Sequence, residues 1–118
     1  MIKNLSQEQI AGILETLPVD ITFADENDTV KFWNKHETRI FQRPNSALGK
    51  SVQKCHSPKS VDKVNHLISD FKNGRRDCLE YQIKIEERTI NIKNMAVRNK
   101  SGKYLGTMEV DQDITDIK

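Results

Sequence analysis

The sequence predicts an α+β domain built on an antiparallel sheet. Strand-like segments gather toward both ends of the chain, with helical ones between them. Leu79, Tyr81, Ile83 and Ile85 alternate with Glu80, Gln82 and Lys84, the period-two pattern of a half-buried strand. Asp25-Glu26-Asn27-Asp28, Glu86-Glu87 and Asn99-Lys100-Ser101-Gly102 are short turn sequences, so the strands they join pair as hairpins. At 118 residues the chain has the size of a single domain.

The elements follow in order. Residues 6–17 read as a helix, with Ser6 as N-cap and Gln9 as its reciprocal capping-box partner. Ile10, Ile13, Leu14 and Leu17 form one apolar stripe, and Pro18 ends the element. Residues 19–24 and 29–33 read as strands, the second alternating Val30 and Phe32 with Lys31. Asn34 then caps a short helix carrying Ile40 and Phe41. Residues 44–48 suit a single turn closed by Gly49. Ser57-Pro58 opens a longer helix whose apolar face is Val61, Val64, Leu67, Ile68 and Phe71, stopped at Asn73-Gly74. In residues 89–98 the apolar parity moves from Ile90 and Ile92 to Met95 and Val97, which predicts either a bulge or a strand covered on both faces. The last strand, residues 103–111, puts Tyr104, Gly106, Met108 and Val110 on one face.

Composition narrows the class. A net charge of +2 is too weak to call for nucleic acid or another polyanion. No apolar run approaches the roughly 18–20 residues that span a bilayer, and Met1-Ile2-Lys3-Asn4-Leu5 passes straight into polar residues, unlike a signal peptide. Cys55 and Cys78 lack Cys-x-x-Cys spacing, so reduced thiols in a cytoplasmic protein are expected. A Gly-rich phosphate loop, His-Glu-x-x-His and a nucleophile elbow are all missing, so the expectation is a non-enzyme.

The landmarks resemble a PAS domain over nearly the whole chain. Asp25 to Val30 looks like the first hairpin of that fold. Asn34, Arg39-Ile40-Phe41 and Gly49-Lys50 look like its signature through the small helices. The run from Val97 to Gly106 resembles its last hairpin, and Asp113-Ile114-Thr115 its closing triplet. Leu17-Pro18-Val19-Asp20, Arg43-Pro44 and Cys55-His56 are also similar to a bacterial subfamily often attached to a hemerythrin-like domain and a domain of unknown function (DUF438). Gln42 and Ser57 stand where that subfamily usually has Pro. The resemblance implies a five-stranded antiparallel sheet with short connecting helices and an N-terminal amphipathic helix. It divides the chain into an entry or dimerisation helix (1–18), a sensory core (19–115) and the start of an output linker (116–118). It also implies a pocket between sheet and helices that holds heme, flavin, a carboxylic acid or another metabolite in many members and nothing in others.

Candidate ligands follow from chemistry. His56 and Cys55 are the pair able to hold heme iron, with His56 preferred because adjacent extended residues point opposite ways. Met95 and Met108 are expected on pocket-lining strands, where a thioether ligates iron or fills a gap. Trp33 offers a stacking surface, although the photosensory Asn-Cys-Arg-Phe-Leu motif is missing. His66 falls about 160° from the apolar face of its helix and is expected at the surface, as is His36. The basic cluster Lys72-Asn73-Gly74-Arg75-Arg76 reads as a solvated helix end. The resulting expectation is a sensory module that binds a small ligand, heme or an unidentified metabolite, in its core. Asp113 and Thr115 would fix the exit of the chain and relay the state. The alternative is a ligand-free interaction module. Expected partners are the ligand, a second copy through the N-terminal stripe, and an output or hemerythrin-like domain.

Overall fold

The computed structural model describes residues 1–56 and 58–117, with the backbone alone for Cys55, Pro58 and Lys59. Helix α1 (Gln7–Thr16) is followed by β1 (Asp20–Asp25) and β2 (Val30–Trp33). Two 3-10 turns, Asn45–Ala47 and Val52–Cys55, lead to α2 (Pro58–Lys72), and β3 (Cys78–Ile85), β4 (Arg88–Arg98) and β5 (Tyr104–Asp113) complete the chain. The strands form one five-stranded sheet in the order β2-β1-β5-β4-β3, with antiparallel neighbours throughout. The expected fold is therefore the observed one. Among the described residues no helix is long and apolar enough to cross a membrane.

Local chemistry explains the boundaries. Ser6 Oγ accepts from Gln9 N–H at 3.0 Å and Gln9 Oε1 from Ser6 N–H at 2.9 Å, a complete capping box on α1. In the first hairpin Asp25 Oδ1 accepts from the N–H groups of Asn27 and Thr29, leaving Asp28 at φ +63°. Asn99 does the same for Ser101 and Lys103, with Gly102 at φ +84°. The expected Ser57 cap lies outside the described residues.

Three local expectations change. No helix forms after Asn34: only a turn spans residues 36–38, and Lys35 adopts φ +50°. Asn34 is instead fully buried as a tertiary anchor. Its Oδ1 accepts from Ile21 N–H at 2.7 Å, and its Nδ2 donates to the carbonyls of Leu14 at 2.7 Å and Val19 at 3.0 Å. In β2 the pairing passes from Phe23↔Phe32 to Ala24↔Val30, so Lys31 is a bulge residue and Val30 shares a face with Trp33 rather than with Phe32. In β5 the pairing passes from Val97↔Gly106 to Arg98↔Tyr104, so Leu105 bulges. That turns Tyr104 toward Thr107, its hydroxyl 2.6 Å from Thr107 Oγ1 and away from the row of Gly106, Met108 and Val110. The parity change in β4 is not a bulge: its register with β3 runs unbroken from Cys78↔Met95 to Ile85↔Arg88. Ile90 and Ile92 face one side of the sheet, and Met95 and Val97 the other.

Gly106 fixes the closest approach of β1 and β5. A Cβ there would meet Ala24 O at 2.2 Å and the Phe23 ring at 2.6 Å.

Asn34 joins α1, β1 and the chain after β2, so Asn34→Ala strands several buried partners at once. The expected loss is about 2–4 kcal/mol of stability in urea denaturation. Faster hydrogen exchange through residues 10–17 should accompany it, whereas unchanged protection there would show that α1 is held by other contacts.

Candidate functional site

Opposite residues in an antiparallel pair share a face, so the register sorts the sheet. One face carries Thr22, Glu109, Asn94 and Leu79 as successive cross-strand partners, and beside them the row Ala24, Thr107 and Ala96. The other face carries Phe23, Met108, Met95 and Cys78 in line. α2 lies over the first face, and between them is a cavity of about 450 Å³. Small and polar side chains on the strands leave this space, while Val64, Leu67 and Ile68 of α2 and Val30, Ala47 and Val52 wall it with apolar surface. Hydrogen bonds from Val30 N–H to Lys50 O (2.9 Å), Gly49 N–H to Val30 O (2.8 Å) and Val52 N–H to Asp28 O (2.7 Å) hold the 3-10 turns against β2 and close that side.

One end of the cavity is polar. Arg43 Nε donates to Thr22 Oγ1 at 3.0 Å, and Arg43 Nη2 to Glu109 Oε2 at 3.2 Å. Asn94, Tyr81 and His56 border the same chamber. Behind Glu109 on the same face of β5 is Asp111, fully buried, paired in register with Asp20 and Ile92. Asp20 Oδ2 accepts from Ile40 N–H at 2.6 Å. Arg39, also buried, donates to Phe41 O at 2.7 Å, Asn34 O at 2.9 Å and Thr22 Oγ1 at 2.9 Å. Neither Asp111 oxygen has a hydrogen-bond donor. Its close polar neighbour is the Glu109 carboxylate, another acceptor, so the two bond only when a proton lies between them.

Burial, and then Glu109, push the Asp111 carboxyl up to about 8, against weaker opposing pulls from Arg43 and Arg39. Asp111 is accordingly protonated at neutral pH. Desolvation by the cavity wall lowers the His56 imidazole below its usual range, with Glu109 opposing and Arg43 assisting. His56 is thus a neutral side chain at the mouth, open to solvent on one side. Burial raises the Tyr81 hydroxyl, and Glu109 and Asp111 raise it further, so it remains a donor.

Of the residues named from sequence, His56 borders the cavity. Met95 and Met108 do not: they are cross-strand partners on the opposite face, which corrects the expectation that they line the pocket. Trp33 is buried with Val30 and Ala47, behind the lining, and its indole N–H donates to His36 Nδ1 at 2.8 Å. Its ring is spent on packing rather than presented to a ligand. The Cys55 side chain lies outside the described residues. His36 and His66 are at the surface, as expected. Asp113 and Thr115 are joined to each other and to the start of β4. Asp113 Oδ2 accepts from Arg88 Nε at 2.8 Å, its Oδ1 accepts from Thr115 N–H and Oγ1, and Thr115 Oγ1 accepts from Thr89 N–H at 3.0 Å. The Thr115 and Arg88 bonds hold Asp113 down at about 2. Among the described residues no group of His, Cys, Asp and Glu is placed to hold a metal ion.

Sequence reasoning missed Thr22, Arg43, Asn94, Glu109 and Asp111. The available signal was the alternation Thr107, Glu109, Asp111 within a strand, an acidic face opposite an apolar one.

An antiparallel sheet with helices over one face and a ligand-sized chamber between them is the architecture of a small sensory-type domain. A sequence profile described as a PAS domain matches residues 10–115. A crystal structure of a C-terminal domain from Streptococcus mutans is 34% identical, with a TM-score of 0.87 over 93% of this chain and 86% of that one. The PAS domain of a Colwellia psychrerythraea protein is 18% identical, at TM-score 0.63 over 92% of this chain and 96% of the other. The PAS domain of histidine kinase ThkA is 20% identical, at TM-score 0.59 over 80% and 98%. No curated protein sequence matches. The chain belongs to the PAS domain family, whose members are generally sensory or interaction modules.

The raised Asp111 carboxyl makes stability depend on pH. In the folded state it keeps a proton that the unfolded chain releases near pH 3.8, so the folded state binds more protons from there to about 8. Stability then falls as pH rises through that window. Between about pH 5 and about pH 9 the ligand-free protein should lose on the order of 4 kcal/mol that Asp111→Asn does not lose. Urea denaturation of both proteins at the two pH values checks this, and parallel pH profiles would refute it.

Proposed function

We propose that this PAS domain senses a small organic molecule held in the cavity and passes its occupancy to the two ends of the chain. The observation that carries the reading is a chamber with apolar walls and one polar end, the usual make-up of a small-molecule site. Relay is supported by topology. Glu109 borders the chamber, its neighbour Asp111 pairs with Asp20 at the start of β1, and Asp113 follows at the exit. Asn34 binds the carbonyls of Leu14 and Val19, tying the end of α1 to the same corner. In this reading residues 1–18 are the entry helix, 19–115 the sensory core and 116–118 the start of a linker. α1 has no buried residue and leaves Ile13 49% exposed, which supports pairing with a second copy. The output is a further domain in cis or trans, hemerythrin-like if the subfamily likeness extends to it.

Heme fits the described residues poorly. His56 is the imidazole at the cavity, and it stands at the mouth. The polar end offers heme propionates a guanidinium already paired with Glu109 and a second carboxyl behind it. We therefore favour a smaller organic ligand. A hemin titration checks this: a sharp Soret band lost in His56→Ala would establish iron at this imidazole and displace our reading.

Filling the chamber from α2 tests whether it is a site at all. Leu67→Trp should keep the unfolding free energy within about 1 kcal/mol of wild type while abolishing any small molecule retained by wild-type protein in native mass spectrometry. An overpacking loss of about 3 kcal/mol, with no retained molecule in wild type, would favour the ligand-free interaction module.

Relay makes a separate prediction. Asp113→Ala removes the bonds to Arg88 and Thr115 at the exit, outside the chamber. Ligand affinity should change by less than about twofold, with faster hydrogen exchange at Thr89 and Ile114. Collapse of binding would make the triplet part of the site rather than of the relay.

A further inference from the structure

Behind the polar end of the cavity the buried side chains have acceptors to spare, while the donors on the lining, Tyr81, Asn94, His56 and the Lys63 ammonium of α2, stand at its more open border. Among the described residues the buried side-chain atoms without a hydrogen-bond partner are Asp28 Oδ1 and both oxygens of Asp111, all of them carboxyl oxygens. Asp28 Oδ1 has the Lys72 ammonium at 3.1 Å, which leaves Asp111, whose own proton is shared with Glu109 and which receives no donor from any other described residue. No buried donor is left over among those residues: Arg43 is committed to Thr22 and Glu109, and Arg39 to backbone carbonyls and Thr22. An anion entering here would bring more acceptors and compete with Glu109 for Arg43. A ligand bringing N–H donors and a positive charge to the Glu109 end supplies what the buried carboxyls behind it lack.

We propose that the cavity receives a ligand with a protonated nitrogen on an apolar body, such as an alkyl or aryl amine, its ammonium held by Glu109 and its body against α2. This deepens the small-ligand reading and rests on it. Charge balance gives binding a second signature. The groups facing Asp111 are Arg39 and Arg43, Asp20 and Glu109, with Tyr81 further out; His56 and the Lys63 ammonium of α2 stand on the cavity lining beyond Glu109. With Asp111 protonated, the guanidiniums and the carboxylates cancel. An ammonium beside Glu109 adds one positive charge, and Asp111 restores the balance by giving its proton to solvent. The ammonium keeps its own proton, and the O–H bond of Asp111 is the one that breaks. An anionic ligand would instead draw a proton in.

Three six-carbon probes, n-hexylamine, n-hexanoate and n-hexanol, separate the possibilities. Binding is followed by amide shifts of Thr22, Asn94 and Glu109, and by calorimetry near pH 7 in buffers of different ionisation enthalpy. Hexylamine should bind about tenfold tighter than either other probe and release up to about one proton. Glu109→Gln should weaken hexylamine about tenfold, and Asp111→Asn should bind it without proton release. Tighter binding of hexanoate, or equal binding of all three, would overturn the ligand class and leave the cavity reading standing. No shift with any probe would overturn both. Hexylamine binding with the same proton balance in wild type and Asp111→Asn would overturn the role of Asp111.

Discussion

A buried guanidinium sets the terms for much of this domain. Arg39 leaves the chain just after β2 and reaches inward to the carbonyls of Phe41 and Asn34 and the hydroxyl of Thr22. A cation in that position is stable only with opposite charge nearby, which Asp20 and the acidic end of β5 supply. The same bonds hold residues 34–41 in an irregular path against β1, where a helix would have carried its own hydrogen bonds. Arg43 emerges from that path at the polar end of the cavity, four residues beyond Arg39. Scaffold and site therefore share one electrostatic cluster.

The second constraint is space. Where β1, β5 and the second half of β4 border the chamber, the side chains turned toward it are small or polar. Ala24, Ala96, Thr22, Thr107 and Asn94 share the inner face, and Phe23, Met95, Met108 and Val110 share the outer one. On β1 and β5 this reverses the usual assignment in which the more apolar parity of a half-covered strand points to the core, whereas β3 and the first half of β4 keep it, with Leu79, Tyr81, Ile90 and Ile92 on the inner face. Two bulges make the pattern possible. The one at Lys31 brings both Val30 and Trp33 to the inner side of the edge strand, and the one at Leu105 turns Tyr104 inward to Thr107.

Those features explain what could be read without coordinates. The α1 capping box, the turns at Asp25 and Asn99, and the stop at Gly74 depend on contacts within a few residues, and local sequence specifies them. α2 was legible for the same reason, from the spacing of Val64, Leu67, Ile68 and Phe71. The site was less so. Met95 and Met108 were expected in the pocket because their strands line it, but belonging to a lining strand leaves the face undecided, and the register puts both on the outer one. Asn34 read as a cap because Asn caps helices, and nothing local records that its partners lie 13 to 20 residues away. Arg43, Glu109 and Asp111 looked like ordinary charged residues, since their meeting depends on β5 pairing with β1. His56 was found because imidazole chemistry singles it out wherever it falls.

The position of the acidic pair bears on how such a domain can signal. A ligand shifts an equilibrium only through contacts that differ between two states. Here the group at the chamber and the group beside both chain ends are two residues apart on one strand, with Asp111 opposite Asp20 across the β1–β5 pairing. Whether Asp111 carries a proton decides whether it and Glu109 attract or repel. Repulsion there acts directly on the pairing of the first strand with the last. α1 hangs from that corner through Asn34, and Asp113 holds the exit to Arg88 and Thr115. A change of one charge at Asp111 would therefore act on the pairing of β1 with β5, the two chamber-lining strands nearest the ends of the chain.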